Sequence, residues 1–511
     1  MWYMERRFLH LILIFIILLG FFVRFSGIDQ HYLNGDEEFY IVGAEKFHAG
    51  SDYDVRLWNY HAPPVAKWLM SLALIGTATD YSIAYAIPAN LWVWNYIAAD
   101  SIKEAYPLIR TMSAIFGTLF VVLIFISARE LFGTTKGLWA AASAAIAIDY
   151  IILSRVALID IYLYAFIAAT MYFFIMYRKT KKAPWLAGLF ASMIMMFGSK
   201  NVQWLVIIPP MLYVELIGNK RHIGKTIHFL IILGIAWFIH SSFIYPPEFS
   251  SAAAEFFTSG ANKNIIEPHF DKVFLSLVSI NSYFFLITFF TTIGMLLVGI
   301  GVHKRRIDWE KIRKHITYPT PYTFLLLFAF MSLVMFTLTS LSLNSKYIGQ
   351  ISIPFFVLGG LAVGSITAKK KILLPVFLGL LIIGAAGAVF YGPSYERYPG
   401  QQVISFSSPG REANQLLSFL EKQGNPPVIT NSINLLIFYS GQSIPLPIRD
   451  SAGCTTNLVD QLRAAGAVGV FKNIGTVERN FVCDLVLDDQ DVLKINPEGE
   501  EPQGIVTVRY Y

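Results

Sequence analysis

Charged residues are scarce in this chain. Only 14% of its 511 residues are Asp, Glu, Lys or Arg, whereas about 25% is usual in a soluble globular protein. Together with a hydrophobic content of 55%, this shortage excludes an ordinary soluble domain and predicts a protein with many membrane spans. Cysteine is scarce as well, because Cys454 and Cys483 are the only two in the chain.

Several motifs of well-known enzyme classes are also missing. The sequence contains no Walker loop, dinucleotide-binding fingerprint, paired Cys-x-x-Cys or His-Glu-x-x-His, and no tandem repeat. ATP-driven transport therefore has no support. The formal charge of +6 does not indicate a nucleic-acid partner, because the basic residues form short clusters between apolar runs and are typical of topology signals.

Apolar runs of membrane-spanning length dominate what is present. The first run continues in bulky residues without a small-residue cleavage site, so we expect a retained signal-anchor helix. The run from Lys67 to Ala78 is shorter and predicts an interfacial helix within a long first loop, 28–106. About eleven spans are predicted, near 8–27, 107–127, 137–153, 158–177, 184–199, 202–217, 226–245, 274–301, 321–342, 347–367 and 372–391.

Six basic clusters give the predicted orientation. All of them fall on one side of the predicted spans, which the positive-inside rule assigns to the cytoplasm together with the N-terminus. The other side, called the outer face below, then receives the first loop, the segment from Asp149 to Asp160, Lys200, the 246–273 loop, Asn344 to Lys346 and everything after about 392. We therefore expect a multi-pass protein of the plasma membrane.

Residues 393–511 have ordinary polar composition and alternating patterns. Strands are predicted at Val428–Thr430, Val468–Phe471 and Gly504–Tyr511, with helices at Arg411–Gln423 and Leu458–Ala465. These patterns predict a soluble α/β domain outside the cytoplasm, attached to a membrane domain of residues 1–392. Cys454 and Cys483 lie within it, and they either form a disulfide, as an oxidising compartment allows, or stay unpaired.

The most acidic stretch of the first loop is Asn34-Gly35-Asp36-Glu37-Glu38. Acidic side chains so close to a membrane span are costly unless they have a function or a partner. One interpretation is a helix start, with Asp36 as the N-cap and Glu37 and Glu38 in the first turn. The other is a catalytic site, in which one carboxylate acts as a general base.

Four cations are predicted on the same outer face: Lys67, Arg155, Lys200 and Lys346. Each also has a simpler explanation, since the lysines could anchor lipid headgroups and Arg155 could pair with Asp160. Taken together with the carboxylates, they suit a negatively charged lipid headgroup, because Arg binds phosphate in bidentate fashion and Lys binds it as a point charge.

Three of these motifs occur in a characteristic order. They are Asp36-Glu37, then Ala62-Pro63-Pro64-Val65-Ala66-Lys67, which is similar to His-Pro-Pro-Leu-Gly-Lys, and then Arg155 with Asp160 before the fourth span. This order resembles the protein O-mannosyltransferase family and its relatives that transfer aminoarabinose or other sugars to lipid A and related acceptors. Lys346 to Pro354 resembles a late element of the same superfamily more loosely. Ala62 occupies the histidine position of the second motif, and the histidine of this chain, His61, is displaced by one residue.

The resemblance implies the GT-C fold, with a mainly α polytopic membrane domain and sugar donors carried on polyprenyl or dolichyl phosphate. It implies Asp36 as the catalytic base, and Glu37 as the residue that positions the acceptor or orients Arg155. The implied donor phosphate site consists of Lys67, Arg155, Lys346 and Lys200, supported by His61, Pro63, Pro64 and Asp160. A short 246–273 loop and a C-terminal soluble domain are typical of prokaryotic members.

The sequence therefore predicts an inverting glycosyltransferase that moves one sugar, with mannose as the leading candidate, to a hydroxyl on the outer face. Protein Ser or Thr is the leading acceptor, and a lipid or glycan is the alternative. No cofactor or metal is demanded, since cations can stabilise the leaving phosphate, although an acidic cluster could hold a divalent metal. A transporter or flippase of lipid-linked sugars is the alternative from another class.

Overall fold

The computed structural model describes residues 2–26, 28, 37–50, 63–79, 99–200, 203–218, 223–245, 320–339 and 345–369, and short pieces at 375–376, 379, 382–383, 421–422, 424–425, 428–430, 443–445, 468–472, 492–494 and 506–510. The described helices are α1 (Trp2–Phe25), α2 (Glu37–His48), α3 (Val65–Ser71, extended by a 3-10 turn at Leu72–Leu74), α4 (Ala99–Phe132), α5 (Thr134–Ala145), α6 (Ile148–Arg155), α7 (Asp160–Thr180), α8 (Ala183–Phe197), α9 (Ile208–Gly218, preceded by a 3-10 turn at Gln203–Val206), α10 (Ile223–Ile239, extended by a π-helical turn at His240–Ile244), α11 (Pro321–Thr339) and α12 (Ser345–Lys369).

The membrane-spanning character of the chain is visible in these helices. Within the described ranges, four helices are long and apolar enough to cross a bilayer: Arg7–Phe25, Ser101–Phe132, Asp160–Thr180 and Thr226–Ile244. Shorter apolar helices lie at most of the other predicted spans, including Ala183–Phe197 and Ser352–Ala368. The chain is thus a multi-pass membrane protein. The predicted span 274–301 and most of 372–391 lie outside the described residues, so the count of eleven stays a prediction.

The predicted third span, 137–153, is not one helix. It is divided into α5 and α6 by a break at Ile146 and Ala147. The guanidinium of Arg24 in α1 binds the carbonyl oxygens of Ala144 and Ala145 at 2.9 and 2.8 Å. Those oxygens would accept the next backbone N–H groups if the helix continued. A contact from 120 residues away therefore ends a helix whose alanine-rich sequence favours continuation.

Small residues set the packing of the bundle. A long helix, α4, contacts α1, α5, α6 and α7, and α12 packs against α5. At Gly360 of α12, an added Cβ would lie only 2.6 Å from the Cβ of Ala140 on α5. Such small residues allow the close backbone approach by which helices associate in a membrane. Gly133, with φ +93°, makes the turn from α4 into α5 in a conformation that other residues rarely adopt.

One of the predicted cytoplasmic basic clusters, which includes Arg178 and Lys179, lies at one end of the bundle. Lys179 in the last turn of α7 donates to the backbone carbonyl of Glu130 near the end of α4 at 2.8 Å. Arg178 reaches the buried carboxylate of Glu215 in α9 at 3.3 Å. These contacts place the ends of α4, α7 and α9 together, and the start of α7 with Asp160 lies at the opposite end of the helix.

Five short strands follow in the C-terminal part: β1 (Val428–Thr430), β2 (Ser443–Pro445), β3 (Val468–Lys472), β4 (Val492–Lys494) and β5 (Val506–Tyr510). They form a sheet in the order β2-β1-β3-β5-β4. Its parallel half pairs β1 with β2 and β3, and its antiparallel half pairs β5 with β3 and β4. Three of the strands lie at the segments predicted as strands, while the domain boundary at 393 stays a prediction.

Candidate functional site

Glu37, the first residue of α2, lies at the centre of the candidate site and is fully buried. The guanidinium of Arg110 on α4 holds its carboxylate with two bonds, Nε to Oε1 at 2.6 Å and Nη2 to Oε2 at 2.9 Å. Oε1 also accepts the backbone N–H of Ala157 at 2.7 Å. Arg110 Nη1 donates to the carbonyl of Ile28 at 2.9 Å. The pair thus joins the first loop to α4 and to the segment between α6 and α7.

Arg110 is absent from the predicted site, and the sequence does carry a signal for it. It lies within the second apolar run, where an ionisable residue is expensive and marks a functional site or a buried partner. The same rule applies to Arg24 in the first run. The position of Glu37 also agrees with the helix-start interpretation, since an acidic residue in the first turn is stabilised by the helix dipole. Its bidentate partner is Arg110, whereas the resemblance implied an orienting role toward Arg155.

The segment between α6 and α7 carries two more predicted residues. Arg155 ends α6, and its Nε and Nη2 donate to the carbonyl of Val23 in α1 at 2.9 and 2.6 Å. Asp160 begins α7, is buried, and forms an ion pair with Lys200. This bond joins the start of α7 to the turn after α8. Asp160, which the sequence suggests as a simple partner for Arg155, is therefore paired with Lys200.

Lys67 enters the site on α3, which the sequence predicts as an interfacial helix. Pro63 and Pro64 precede this helix and are buried, and Val65 at its start donates its backbone N–H to the carbonyl of Gly198 at 2.8 Å. The side chain of Lys67 is only 3% exposed. Its burial lowers the pKa of the Lys67 amine to about 7. A nearby anion would restore its charge, because opposite charges favour ionisation.

The start of α12 also reaches this region. Tyr150 of α6 donates a hydrogen bond to the carbonyl of Gly349, and the absence of a side chain at Gly349 makes room for the ring of Tyr164 on α7. Lys346 stands one turn before Gly349 on the same helix, and its side chain lies outside the described residues. The segment that bears Lys346 thus packs next to the helices that flank Arg155 and Asp160.

The predicted site residues therefore divide into two groups. The segments that carry the following residues are linked to one another by contacts: Glu37, Pro63, Pro64, Lys67, Arg155, Asp160, Lys200 and Lys346. Four others lie outside the described residues: Asp36, His61, Cys454 and Cys483. The catalytic role of Asp36 and the disulfide both stay predictions.

A second buried carboxyl lies two turns along α2 at Glu45, which is absent from the predicted site. Its side chain is fully buried, and Ser101 on α4 donates to Oε2 at 3.1 Å. Oε1 has no hydrogen-bond partner in the described part of the chain. Burial raises the pKa of Glu45 to about 8, and the bond from Ser101 only partly opposes that rise. Glu45 and Glu37 together fasten α2 along the first turns of α4.

Glu45→Gln is expected to remove a pH dependence of stability. In the folded protein Glu45 is neutral up to about pH 8, whereas in the unfolded chain it ionises near pH 4.5. The unfolded state thus binds fewer protons between these values, so wild-type stability falls as pH rises through this window and is constant above it. Thermal unfolding in nanodiscs at pH 5.5, 7 and 8.5 should show a smaller decline for Glu45→Gln than for wild type. Glu104→Gln, at an exposed position of α4, is the matched control, and equal declines in both variants would contradict the assignment.

No group of three or more His, Cys, Asp or Glu side chains in the described ranges is placed to hold a metal ion. Asp36 and Glu38, whose side chains belong to the predicted acidic cluster, are not among those searched. A divalent metal bound by the acidic cluster therefore stays a prediction.

Comparison with known proteins finds a similar family and similar solved structures. Residues 88–245 match the family model described as dolichyl-phosphate-mannose-protein mannosyltransferase. The match includes Arg110, Arg155, Asp160 and Lys200. No curated protein sequence matches the chain.

Solved structures are similar to the chain at low sequence identity, and one of them, ArnT in the apo state, has a TM-score above 0.5. ArnT from Cupriavidus metallidurans in the apo state is 15% identical over 97% of both chains, with a TM-score of 0.52. The same protein bound to undecaprenyl phosphate gives a TM-score of 0.49 at 13% identity over 97% of both chains. The Archaeoglobus fulgidus oligosaccharyltransferase tethered to an acceptor peptide gives 0.45 at 12% identity, over 87% of this chain and 64% of that one. The family match over residues 88–245 and the fold shared with ArnT confirm the resemblance to the superfamily of membrane glycosyltransferases that includes the protein O-mannosyltransferases and ArnT.

Proposed function

We propose that the chain is a polyprenyl-phosphate-dependent glycosyltransferase. It takes one sugar, with mannose as the leading candidate, from a polyprenyl or dolichyl monophosphate and transfers it to an extracytoplasmic hydroxyl, with protein Ser or Thr as the leading acceptor. The observation that carries the proposal is the junction of buried ionic groups built by separate segments: Glu37 with Arg110 and Ala157, and Asp160 with Lys200. These pairs hold the segments that carry Lys67 and Arg155, whose cationic side chains suit an anionic donor.

The reaction is a direct displacement at the anomeric carbon. The acceptor oxygen forms a bond to this carbon while the bond between the carbon and the phosphate oxygen breaks, so the lipid phosphate leaves with the electron pair and the anomeric configuration inverts. Asp36 accepts the proton of the attacking hydroxyl. Lys67 and Arg155 offset the charge that develops on the leaving phosphate. Two of the five N–H donors of Arg155 bind Val23.

The two ion pairs have a supporting task in this mechanism. Glu37 is committed to Arg110 and to the backbone of Ala157, so it fixes the start of α2 against the segment that follows Arg155. Asp160 is committed to Lys200, which fixes the turn on which α3 rests. Rigid support of this kind matters because a shift of about 1 Å in a reacting group can cost about 100-fold in rate.

A second candidate uses the same donor with a lipid or glycan acceptor. The fold likeness to ArnT extends over 97% of both chains, so it includes the region of the C-terminal sheet and favours testing this acceptor class alongside peptides. The donor chemistry is shared between the two candidates, and they differ only in the groove that receives the hydroxyl.

Transfer of label from purified donor tests the proposal. The protein in nanodiscs is incubated with radiolabelled mannosyl-phosphoryl polyprenol and either a Ser/Thr-rich peptide or a lipid A acceptor. Label on the peptide supports the leading acceptor, and label on the lipid supports the second candidate. Movement of intact donor across a liposome membrane, with no new glycosidic bond to any acceptor, would instead show a transporter and overturn the proposal.

Lys67→Met is expected to weaken donor binding by roughly 10- to 100-fold, which corresponds to one charge-assisted hydrogen bond. Because burial lowers the pKa of Lys67 to about 7, bound phosphate stabilises the charged form, and wild-type affinity should fall as pH rises above 7. Binding of undecaprenyl phosphate, measured from pH 6 to 8.5, should lose this pH dependence in the variant. Lys103→Met, at an exposed position of α4, should bind like wild type. A wild-type affinity for Lys67→Met would remove Lys67 from the donor site.

A further inference from the structure

Arg24 is a guanidinium fully buried in the last turn of the first membrane span. Its Nη1 donates to the carbonyls of Gly20 at 3.0 Å and Ala145 at 2.8 Å, and its Nη2 donates to the carbonyl of Ala144 at 2.9 Å. Ala144 and Ala145 are the last two residues of α5. The carbonyls at a helix end have no partner within the helix and carry partial negative charge. Arg24 therefore caps the C-terminal end of α5.

The residue before Arg24 takes part in a reciprocal contact. The carbonyl of Val23 lies in the last turn of α1 and accepts two N–H groups of Arg155, at 2.9 and 2.6 Å. Arg155 in turn ends α6. One arginine thus caps α5 from α1, and the other caps α1 from α6. Both ends of α6 are fixed in this way, since α6 starts three residues after Ala145 and ends at Arg155.

Gly117 on α4 leaves room for side chains of α1 and α6. An added Cβ at Gly117 would lie 2.9 Å from Cδ of Arg24 and would overlap the Oγ of Ser154. Because real Cβ atoms do not approach other atoms so closely, only glycine leaves room for both side chains. Arg24, Gly117 and Arg155 therefore form one junction of α1, α4 and α6, here called the arginine junction.

We infer that Arg24 is a positioning residue for the transfer reaction, which rests on the proposed function. All of its described hydrogen bonds go to backbone carbonyls, so it acts through the backbone of α5 and α6. Two residues beyond Arg155, the N–H of Ala157 binds Glu37. The arginine junction therefore sets where Arg155 and Ala157 stand relative to Glu37 at the start of α2.

Arg24→Gln and Arg24→Lys test the inference. Gln is too short to reach both carbonyls of α5, whereas Lys keeps the charge and part of the capping. We expect kcat of the folded Gln variant to fall by about 10- to 100-fold, and that of the Lys variant by less. Binding of undecaprenyl phosphate should change by less than about 3-fold, because a positioning residue alters turnover more than ground-state binding. Hydrogen exchange of peptides covering 148–157 should increase in the same order.

Two further variants make the outcome decisive. Arg129→Gln removes an exposed arginine from the other end of α4 and should leave kcat and exchange unchanged. If Arg24→Gln does not fold, Gly117→Ala disturbs the arginine junction while keeping both arginines, and it should give the same kcat and exchange pattern. A folded Arg24→Gln protein with wild-type kcat and wild-type exchange would overturn the inference. If wild type transfers no sugar at all, the proposed function fails. Unchanged hydrogen exchange of residues 148–157 in Arg24→Gln would then still contradict the role of the arginine junction in fixing this segment.

Discussion

Asp36→Asn is expected to lower turnover by about 10²- to 10⁴-fold, which is the usual contribution of a general base. Asparagine keeps the shape of the side chain and removes the proton acceptor. Donor binding should be nearly unchanged, because the proposed phosphate site consists of cations on other segments. The measurement is sugar transfer to a hydroxyl acceptor at saturating donor, together with equilibrium binding of undecaprenyl phosphate to the same preparation.

Glu38→Gln is the matched control, since Glu38 lies two residues after Asp36 and has no counterpart in the family motif. It should retain near-wild-type turnover. Near-wild-type transfer by folded, donor-binding Asp36→Asn would reject Asp36 as the base. The search would then turn to Glu37 and Asp160, although each of these already holds an ion-pair partner.

Much of the framework could be predicted from apolar runs and motif order. The predicted spans 158–177 and 184–199 correspond to α7 (Asp160–Thr180) and α8 (Ala183–Phe197) within three residues at each end. The short run after Pro64 is a separate helix, as its length indicates. Among the segments predicted on one face, those that carry Glu37, Arg155 and Asp160 are linked by contacts in the described part of the chain, as expected when spans of fixed length place alternate loops on the same side.

The partners of the site residues could not be predicted in the same way. Arg110 and Glu37 are 73 residues apart, and Arg24 and Ala144 are 120 apart. Nothing in local periodicity says which carboxylate or carbonyl a buried guanidinium will reach, since that depends on how α1, α4 and α5 cross. The break between α5 and α6 follows from the same contact, so an alanine-rich stretch with high helix propensity gives no local sign of it.

Arg110→Met should destabilise the protein by about 3–5 kcal/mol, because it leaves the carboxylate of Glu37 buried without its cationic partner. Both side chains are almost fully enclosed, at 1% and 0% exposure, so solvent cannot replace the lost contact. Equilibrium unfolding in mixed micelles measures the effect. Arg129→Met breaks the ion pair with Glu130 on the same helix, where the arginine is 42% exposed, and should cost at most about 1 kcal/mol.

A double-mutant cycle separates the ion pair from the packing of the long arginine side chain. Adding Glu37→Gln removes the buried charge while the amide oxygen still accepts the N–H of Ala157, so Glu37→Gln/Arg110→Met should be more stable than Arg110→Met alone. The alternative outcome is that the double variant loses as much free energy of unfolding as the two single variants together. The loss would then come from the packing of Arg110, and the ion pair would not hold the first loop to α4. A coupling of the expected sign would also explain why the start of α2 stays attached to α4, because a buried charge pair is costly to separate.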